Sequence, residues 1–328
     1  MGKKSRAKYG SRLTGILSKY SMVFILIGFM LVCTMANEHF LTPANLVNVL
    51  RQQSVVIILA LGEMVLIISG MLDLSCGAVV ALAGCLSISA YKTIPNIAVA
   101  FAVAIGVAMI CNLISALIVT KFKTPPFIAT LAMQTMARGA ALFYTGGQNI
   151  YDIGDYTSVG QGTMGFFPIP VLIMLGCLAV MIYIMRFSKF GRSTYAVGGN
   201  EDAATASGIN VHATKIKAYL LHGVLVGIAA VIFMSRVNGG LPNGAQGYEF
   251  DAFTATIIGG TSFSGGAGNP VGTVLGAFIV GFLNNIMNLL SIDSYIQQII
   301  RGVIIAFAVM LDIASKERQT HKKRILHS

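Results

Sequence analysis

The sequence predicts an all-α integral membrane protein, and its composition, hydropathy and apolar runs lead to that prediction. The 328-residue chain is 55% hydrophobic and only 11% charged, whereas water-soluble domains carry about 25% charged residues. Its mean hydropathy is +0.76. Its apolar runs are long enough to cross, or nearly cross, a hydrocarbon core of about 30 Å. We therefore predict about ten transmembrane helices in a single domain.

The predicted spans follow from the apolar runs in chain order. The first covers Ser21–Ala36 and is retained, because no clear small-residue cleavage site follows it. A surface helix over Leu41–Gln53 comes next, with Thr42 as its cap and Pro43 at its first position. The other spans are predicted over Ser54–Met71, Ser75–Tyr91, Ile94–Thr120, Phe127–Thr145, Pro170–Phe187, Ala218–Val237, Ala252–Ser264, Val271–Leu290 and Tyr295–Ile313.

The distribution of positive charge predicts the orientation in the membrane. Most of the 23 lysines and arginines lie in the two tails, at Lys121 and Lys123, and around the central polar segment. Ten spans place these four regions on one side, as the positive-inside rule requires. We therefore predict cytoplasmic tails over 1–20 and 314–328, flanking a membrane domain over 21–313. Charge grouped at span ends, without interleaved aromatic residues, argues against a nucleic-acid partner.

Two glycine-rich stretches interrupt the apolar pattern: the first break (Ser69–Gly77) and the second break (Gly259–Pro270). Irregular backbone within a bilayer persists only where protein or a water-filled cavity covers it. The two breaks resemble each other, and Arg138-Gly139 is echoed by Arg301-Gly302, which indicates two related halves. The alternative is a tight turn between adjacent helices. The breaks and the asparagines after the second one predict a translocation path lined by Asp73, Ser75, Thr261, Ser262, Asn284 and Asn285. For the asparagines, contact between helices is the favoured alternative.

Four ionisable residues lie in or beside the spans, namely Glu63, Asp73, Arg138 and Arg301. Charged side chains are costly in lipid and are usually paired or functional. We expect structural pairing between these carboxylates and arginines ahead of direct contact with a substrate. His222, within a span, is expected to be packed and hydrogen-bonded.

The sequence contains no catalytic or metal-ligating pattern. It has no G-x-x-x-x-G-K-S/T phosphate loop, no H-E-x-x-H and no G-x-S-x-G. The five cysteines have neither metal-ligand nor redox spacing and are expected to be small buried residues. We therefore predict a chain that is not an enzyme, has no cofactor or metal of its own and cannot hydrolyse ATP alone. Glycine pairs four residues apart predict close helix packing at Gly223 and Gly227, and at Gly272 and Gly276.

The longest polar interlude, within 188–217, predicts a short capped helix. Asn200 is a good N-cap, and Glu201 and Asp202 place negative charge in the first turn. Gly208 can end the helix in the left-handed conformation. A rigid helix on a basic loop between two spans fits a docking site for a soluble partner. A connecting loop that is merely helical is the alternative.

Several motifs spread over about residues 20 to 313 resemble the bacterial permeases of the ribose/galactose/xylose ABC sugar importers, with the ribose permeases nearest across Gly281–Leu290. The sequence departs from the family pattern at Glu63, Met71 and Cys76, which bear on the substrate more than on the family. The motifs are Leu41–Leu46, Gly70–Gly77, Phe127–Leu131, Arg138-Gly139, Gly191–Asn200, Ser207–Val211, Gly259–Ser262, Gly265–Gly268 and Gly281–Asn285.

The resemblance implies a fold like that of the vitamin B12-type (type II) importers, within the lipid of the bacterial inner membrane. Two permease copies, or one copy and a homologous permease, would form the path for a monosaccharide. An ATP-binding subunit, holding ATP and Mg²⁺, would dock on the cytoplasmic side, and an extracytoplasmic sugar-binding protein would deliver the sugar. Gln148, Asn149 and Glu249 would contact that binding protein. The 188–217 segment would be the coupling loop, contacting the ATPase through Gly191, Arg192, Asn200, Glu201, Ala203, Ala204, Ser207, Gly208 and Ile209.

Other functions remain open at this point. One is an ion-coupled secondary carrier, with Glu63 and Asp73 as proton sites. Another is an ABC permease for nucleosides or a sugar-like signal. A membrane-embedded enzyme is disfavoured, because the catalytic residue types do not cluster in the sequence.

Overall fold

A computed structural model describes residues 21–327, and side chains are described as far as residue 314. The predicted N-terminal tail, 1–20, lies outside the described residues. The helices are α1 (Ser21–Ala36), α2 (Pro43–Ile68), α3 (Cys76–Thr93), α4 (Ile97–Lys121), α5 (Pro126–Thr145), α6 (Ser158–Gln161), α7 (Ile169–Phe187), α8 (Lys189–Gly199), α9 (Glu201–Ala206), α10 (Val211–Arg236), α11 (Tyr248–Ile258), α12 (Pro270–Leu289) and α13 (Ser294–His327).

The helices begin where the sequence supplies helix-starting residues. Prolines occupy the first turn of α2, α5, α7 and α12, where a missing N–H costs no hydrogen bond. Asparagine side chains cap α4, α9, α10 and α12 by accepting a hydrogen bond from a first-turn N–H. Thr42 lies at the N-cap position of α2 as predicted, but its hydroxyl donates to His39 O (2.8 Å) instead of capping the helix.

Loop contacts define one end of the molecule, which we call the basic end. Here the Gly266 N–H donates to Ile68 O (2.9 Å), which joins the second break to the end of α2, directly before the first break. The hydroxyl of Tyr195 in α8 donates to Gly268 O (2.9 Å) in the second break. The loop after α4, with Lys121 and Lys123, lies at this end too, because the Leu74 N–H bonds to Thr130 in the first turns of α5.

The opposite end is joined by other contacts. Lys92 at the end of α3 donates to Tyr151 O (2.6 Å), and Ile150 forms an antiparallel bridge with Gly240. Segments 37–42, 94–96, 146–168 and 290–293 lie at this end, together with the start of segment 237–247. The later residues of segment 237–247 reach inward, since a Cβ at Gly77 would overlap Ala245 O. Segment 146–168 carries a 3₁₀ turn (Gly154–Thr157), α6 and a small hairpin of β1 (Thr163–Met164) and β2 (Phe167–Pro168). The sequence analysis did not predict this local structure.

Seven described helices are long and apolar enough to cross a membrane, namely α2, α3, α4, α7, α10, α12 and α13 over Ser294–Ala314. The all-α membrane class is therefore confirmed. The remaining apolar helices are the shorter α1, the arginine-containing α5 and the 11-residue α11. A count of ten crossings stays a prediction.

Two predicted boundaries are wrong. The surface helix over Leu41–Gln53 and the span over Ser54–Met71 are one continuous helix, α2, because no glycine or proline interrupts the sequence between Pro43 and Leu61. The span predicted over Ala252–Ser264 is displaced and shorter, since α11 ends at Ile258 and glycines follow. Residues 259–269 are then irregular up to the start of α12.

The core is centred on α2, which is buried along most of its length and packs against α10, α11 and α12. Both predicted glycine pairs lie at close helix contacts. A Cβ at Gly227 would overlap Ile105 of α4, and one at Gly276 would overlap Ala255 of α11. The five cysteines are all buried, as expected.

Segment 146–168 is held to the helices through one buried hydroxyl. Ser235 near the end of α10 donates to Tyr156 O (2.6 Å) and accepts from the Gly160 N–H (2.6 Å). The Tyr156 hydroxyl in turn lies 2.7 Å from the hydroxyl of Ser87 in α3. Burial raises the pKa of the Tyr156 phenol, so that this ring stays neutral.

Candidate functional site

A cavity of about 830 Å³ lies between α5, α11 and α13, and polar side chains from all three helices line it. Arg138 of α5 and Arg301 of α13 both face this cavity, so the two Arg-Gly pairs noted in the sequence meet at one site. Gln134 lies one turn before Arg138 in α5, and Gln298 lies close before Arg301 in α13. Guanidinium and amide groups of this kind are suited to binding a small polar molecule.

Arg138 holds the loop that precedes α11. Its Nη1 donates to Pro242 O (2.7 Å) and to Gly244 O (2.9 Å). Gln134 Nε2 donates to Glu249 Oε1 (3.2 Å). The same oxygen accepts a second hydrogen bond from the Gly247 N–H (3.3 Å). Because a guanidinium has five fixed donors, Arg138 can bond to both carbonyls and still present N–H groups to the cavity.

Arg301 belongs to a second group of bonded side chains. Its Nε donates to Asn284 Oδ1 (3.2 Å) and lies 4.0 Å from Asp251 Oδ1, while Asn284 Nδ2 donates to Asp251 Oδ2 (3.3 Å). These three residues come from α13, α12 and α11 and also line a smaller cavity of about 190 Å³. The predicted pairing of the two arginines with Glu63 and Asp73 is therefore wrong. Asp251 is the carboxylate beside Arg301, and Glu249 faces the same cavity as Arg138.

Glu63 and Asp73 face His222 instead. The side chains of all three residues are at most 1% exposed. His222 Nε2 lies 3.2 Å from Asp73 Oδ2 and 3.9 Å from Glu63 Oε2. His222 is packed as expected, since a Cβ at Gly62 would overlap its ring. The expected hydrogen bonding is wrong, because both ring nitrogens are buried without a hydrogen-bond partner. The first break is thereby tied to both α2 and α10.

The polar loop (residues 188–210) carries the predicted capped helix, α9. Asn200 Oδ1 accepts from the Ala203 N–H (2.8 Å), and Gly208 has a left-handed φ of 80°. Glu201 pairs with Lys215 of α10 (2.6 Å), which ties the helix to the start of the next span. Ala204 is buried within the loop against Val197 and Val211, so its side chain supports the loop itself.

The exposed face of the polar loop is formed by other residues of the predicted contact set. Arg192, Asn200, Glu201, Ala203, Ser207 and Gly208 are exposed, Ile209 is half-buried, and Gly191 is buried at a close approach to Met185 of α7. Contact of this face with an ATPase stays a prediction.

Through α8, the polar loop contacts the second break and the end of α2, which directly precedes the first break. A Cβ at Gly198 would overlap Ile68 O, and it would lie 2.8 Å from the nitrogen of Gly266. A Cβ at Gly265 would lie 2.8 Å from Gly198 O. Backbones therefore touch directly where α8, the end of α2 and the second break meet. A displacement of α8 must displace the second break and the end of α2, or separate from them.

The structure places the residues predicted to line a path at several separate sites. Asp73, Ser75 and Thr261 are buried inside the chain at the two breaks, and Ser262 follows Thr261 with its N–H bonded to Ala267 O. Asn284 lies at the smaller cavity, whereas Asn285 exchanges two amide bonds with Asn45 of α2 (2.9 and 2.8 Å). The path itself stays a prediction.

Of the residues predicted to contact a binding protein, two are exposed and one is buried. Gln148 and Asn149 are exposed at the opposite end, but Glu249 is 4% exposed and bonded within the chain. The sequence analysis missed Gln134 and Gln298. Their positions shortly before the two arginines were the only available signal.

Comparison with known proteins identifies the family. A family model described as "Branched-chain amino acid transport system / permease component" matches residues 45–309. No solved structure matches the chain.

Three characterised relatives illustrate the similarity. The chain is 37% identical over 301 residues to the ribose import permease protein of Bacillus subtilis, covering 91% of this chain and 94% of that protein. It is 39% identical over 286 residues to the ribose import permease protein of Haemophilus influenzae, covering 86% and 88%. It is 31% identical over 299 residues to the D-allose transport system permease protein of Escherichia coli, covering 90% and 91%. These relatives confirm the resemblance to sugar permeases, and the chain belongs to the family of permease components of the branched-chain amino acid transport type.

Proposed function

We propose that the chain is the membrane-spanning permease subunit of an ATP-driven importer of a monosaccharide such as ribose, allose or a similar sugar. The relatives named above support the sugar. The observation that carries the mechanism is the backbone contact of α8 with the second break and with the end of α2 directly before the first break, because it joins the polar loop to the irregular segments.

In this proposal the basic end faces the cytoplasm. Lys121, Lys123, Lys189 and Arg192 all lie there, as the positive-inside rule requires. A separate ATPase then binds the exposed face of the polar loop. Closure of the ATPase on ATP moves α8 and α9, and α8 displaces the two breaks.

The large cavity is the sugar path in one chain, and a second permease copy completes it. The cavity is lined by α13, which exposes Tyr295, Ile299, Val303 and Phe307. Lipid or another chain must cover this apolar face. A second copy packed there would enclose the cavity and bring a second set of arginines and glutamines to it. Amide and guanidinium donors suit the hydroxyl groups of an uncharged sugar.

Two arginines at the opposite end suit an acidic partner. Arg51 of α2 and Arg236 of α10 line a pocket of about 280 Å³ with Gln52 and Gln161. Neither arginine forms an ion pair with the described carboxylates, and the Nε atoms of both are buried without a hydrogen-bond partner. We assign this pocket, instead of Glu249, to carboxylates of the extracytoplasmic binding protein.

Uptake into proteoliposomes tests the proposal. The chain is reconstituted with its ATPase and binding protein, and labelled ribose and allose are supplied in separate assays. In vesicles that carry the ATPase on their inner face, uptake must require ATP inside the vesicles. It must also persist when ionophores collapse the membrane potential and the pH gradient. Uptake that needs an ion gradient but no ATP would instead establish a secondary carrier.

A further inference from the structure

The cluster of Glu63, Asp73 and His222 is a buried ionisable group that the proposed path does not use. Both carboxylates are 1% exposed and the imidazole is fully buried. No described lysine or arginine pairs with either carboxylate. If both carboxylates were ionised, the cluster would carry a net negative charge even with a protonated imidazole. An uncompensated charge at such a position is strongly unfavourable.

The hydrogen bonds show which carboxylate is the anion. Asp73 Oδ1 accepts from the Ser75 N–H (2.7 Å) and from the Ser75 hydroxyl, and its Oδ2 faces His222. Glu63 Oε1 accepts one longer bond, from the Asp73 N–H (3.2 Å), and neither Glu63 Oε2 nor Asp73 Oδ2 has a hydrogen-bond partner. Donors stabilise the ionised form, so the negative charge belongs on Asp73 and a proton belongs on Glu63.

Other titratable groups around the cluster supply no compensating positive charge. From α10, Tyr219 donates its hydroxyl to Leu72 O (3.0 Å) in the first break. The thiol of Cys76 in α3 interacts electrostatically with Asp73, with Glu63 and with Glu249 of α11. The thiol of Cys111 in α4 interacts with Asp73. These groups are neutral or acidic, and none is a cation.

We propose that Glu63, Asp73 and His222 form a proton-binding site, with the proton on Glu63 while the first break is packed as described. The proton on Glu63 removes one of the two negative charges from the buried cluster. When the first break moves and water reaches Glu63, the O–H bond breaks and the proton passes to that water, leaving the carboxylate. Occupancy of the site is independent of the proposed function, and only the movement of the break rests on it.

Infrared spectroscopy of the full-length chain in lipid tests the occupancy. A protonated carboxylic acid has a carbonyl stretch distinct from that of a carboxylate. We expect the wild-type spectrum at neutral pH to contain this band, and Glu63→Gln to lose a part of it equal to one carboxyl group. Glu38→Gln is the matched control, because Glu38 is exposed at the opposite end. An unchanged band in Glu63→Gln would overturn the proposal.

Alkylation of Cys76 tests the release of the proton. This thiol lies within the first break, at the residue where α3 begins, and is fully buried. In a chain whose other cysteines are replaced by serine, the reagent reaches Cys76 only when the break opens. Opening that releases one proton becomes about tenfold more favourable per pH unit. The labelling rate of the protein with Glu63, divided by that of its Glu63→Gln variant, should therefore rise with pH. Taking this ratio cancels the change of thiol reactivity with pH, because both proteins carry the same thiol. A ratio independent of pH would refute proton release, and it would do so whether or not the sugar-uptake assay succeeds.

Discussion

Gly198 is the position where the link between the polar loop and the breaks can be tested most directly. An alanine Cβ at this position would overlap Ile68 O and lie 2.8 Å from the nitrogen of Gly266, so two backbone segments must move apart. Overpacking of this kind costs about 1–3 kcal/mol. Loss of the Gly266–Ile68 hydrogen bond, now 2.9 Å, would add about 1–3 kcal/mol if its groups remained buried.

Either cost is large enough to change coupling. A change of 1.4 kcal/mol shifts an equilibrium about tenfold. We therefore expect Gly198→Ala to lower the stimulation of ATP hydrolysis by sugar-loaded binding protein by about tenfold or more. The measurement is ATPase activity of the reconstituted complex, with and without binding protein, together with the amount of ATPase that co-purifies.

Gly199→Ala is the matched control for this experiment. Gly199 is the next residue of α8, it is exposed, and nothing lies within 4 Å of an added Cβ. The control should couple like the wild type. If Gly198→Ala also coupled like the wild type, the contact between α8 and the breaks would not transmit the movement, and the reasoning would be wrong.

Three further predictions concern other contacts. Ser235→Ala removes the hydroxyl between Tyr156 O and the Gly160 N–H and should destabilise the protein by about 1–3 kcal/mol; an unchanged melting temperature in detergent would contradict this. Arg301→Ala leaves Asp251 with Asn284 as its only partner and should lower sugar uptake by at least tenfold, about 1.4 kcal/mol. Arg301→Lys should retain more of the thermal stability than Arg301→Ala. Equal uptake by the alanine variant and the wild type would remove Arg301 from the path. Arg51→Glu should weaken binding-protein affinity most at low ionic strength, because salt screens exposed charges; an affinity unaffected at any salt concentration would exclude this pocket as the docking site.

Local sequence was sufficient for much of the fold. Apolar runs of the right length predict α1, α3, α5, α7 and α12 to within a few residues, because a bilayer-crossing helix satisfies all its backbone groups by itself. The capped helix α9 was also predictable. Asn200, the acidic first turn and Gly208 act through bonds and conformations that span only a few residues.

Pairing across helices was decided only by the tertiary structure. Glu63, Asp73, Arg138 and Arg301 stand out in the sequence as costly charges, but the sequence does not show which charge faces which. The packing places His222 beside the first two and brings the two arginines to one cavity. Such contacts join residues far apart in the chain and depend on helix rotation, which hydropathy does not encode. The sequence alone therefore determined the membrane class, most helix positions and the capped polar loop, while the tertiary structure decided which polar groups form a site.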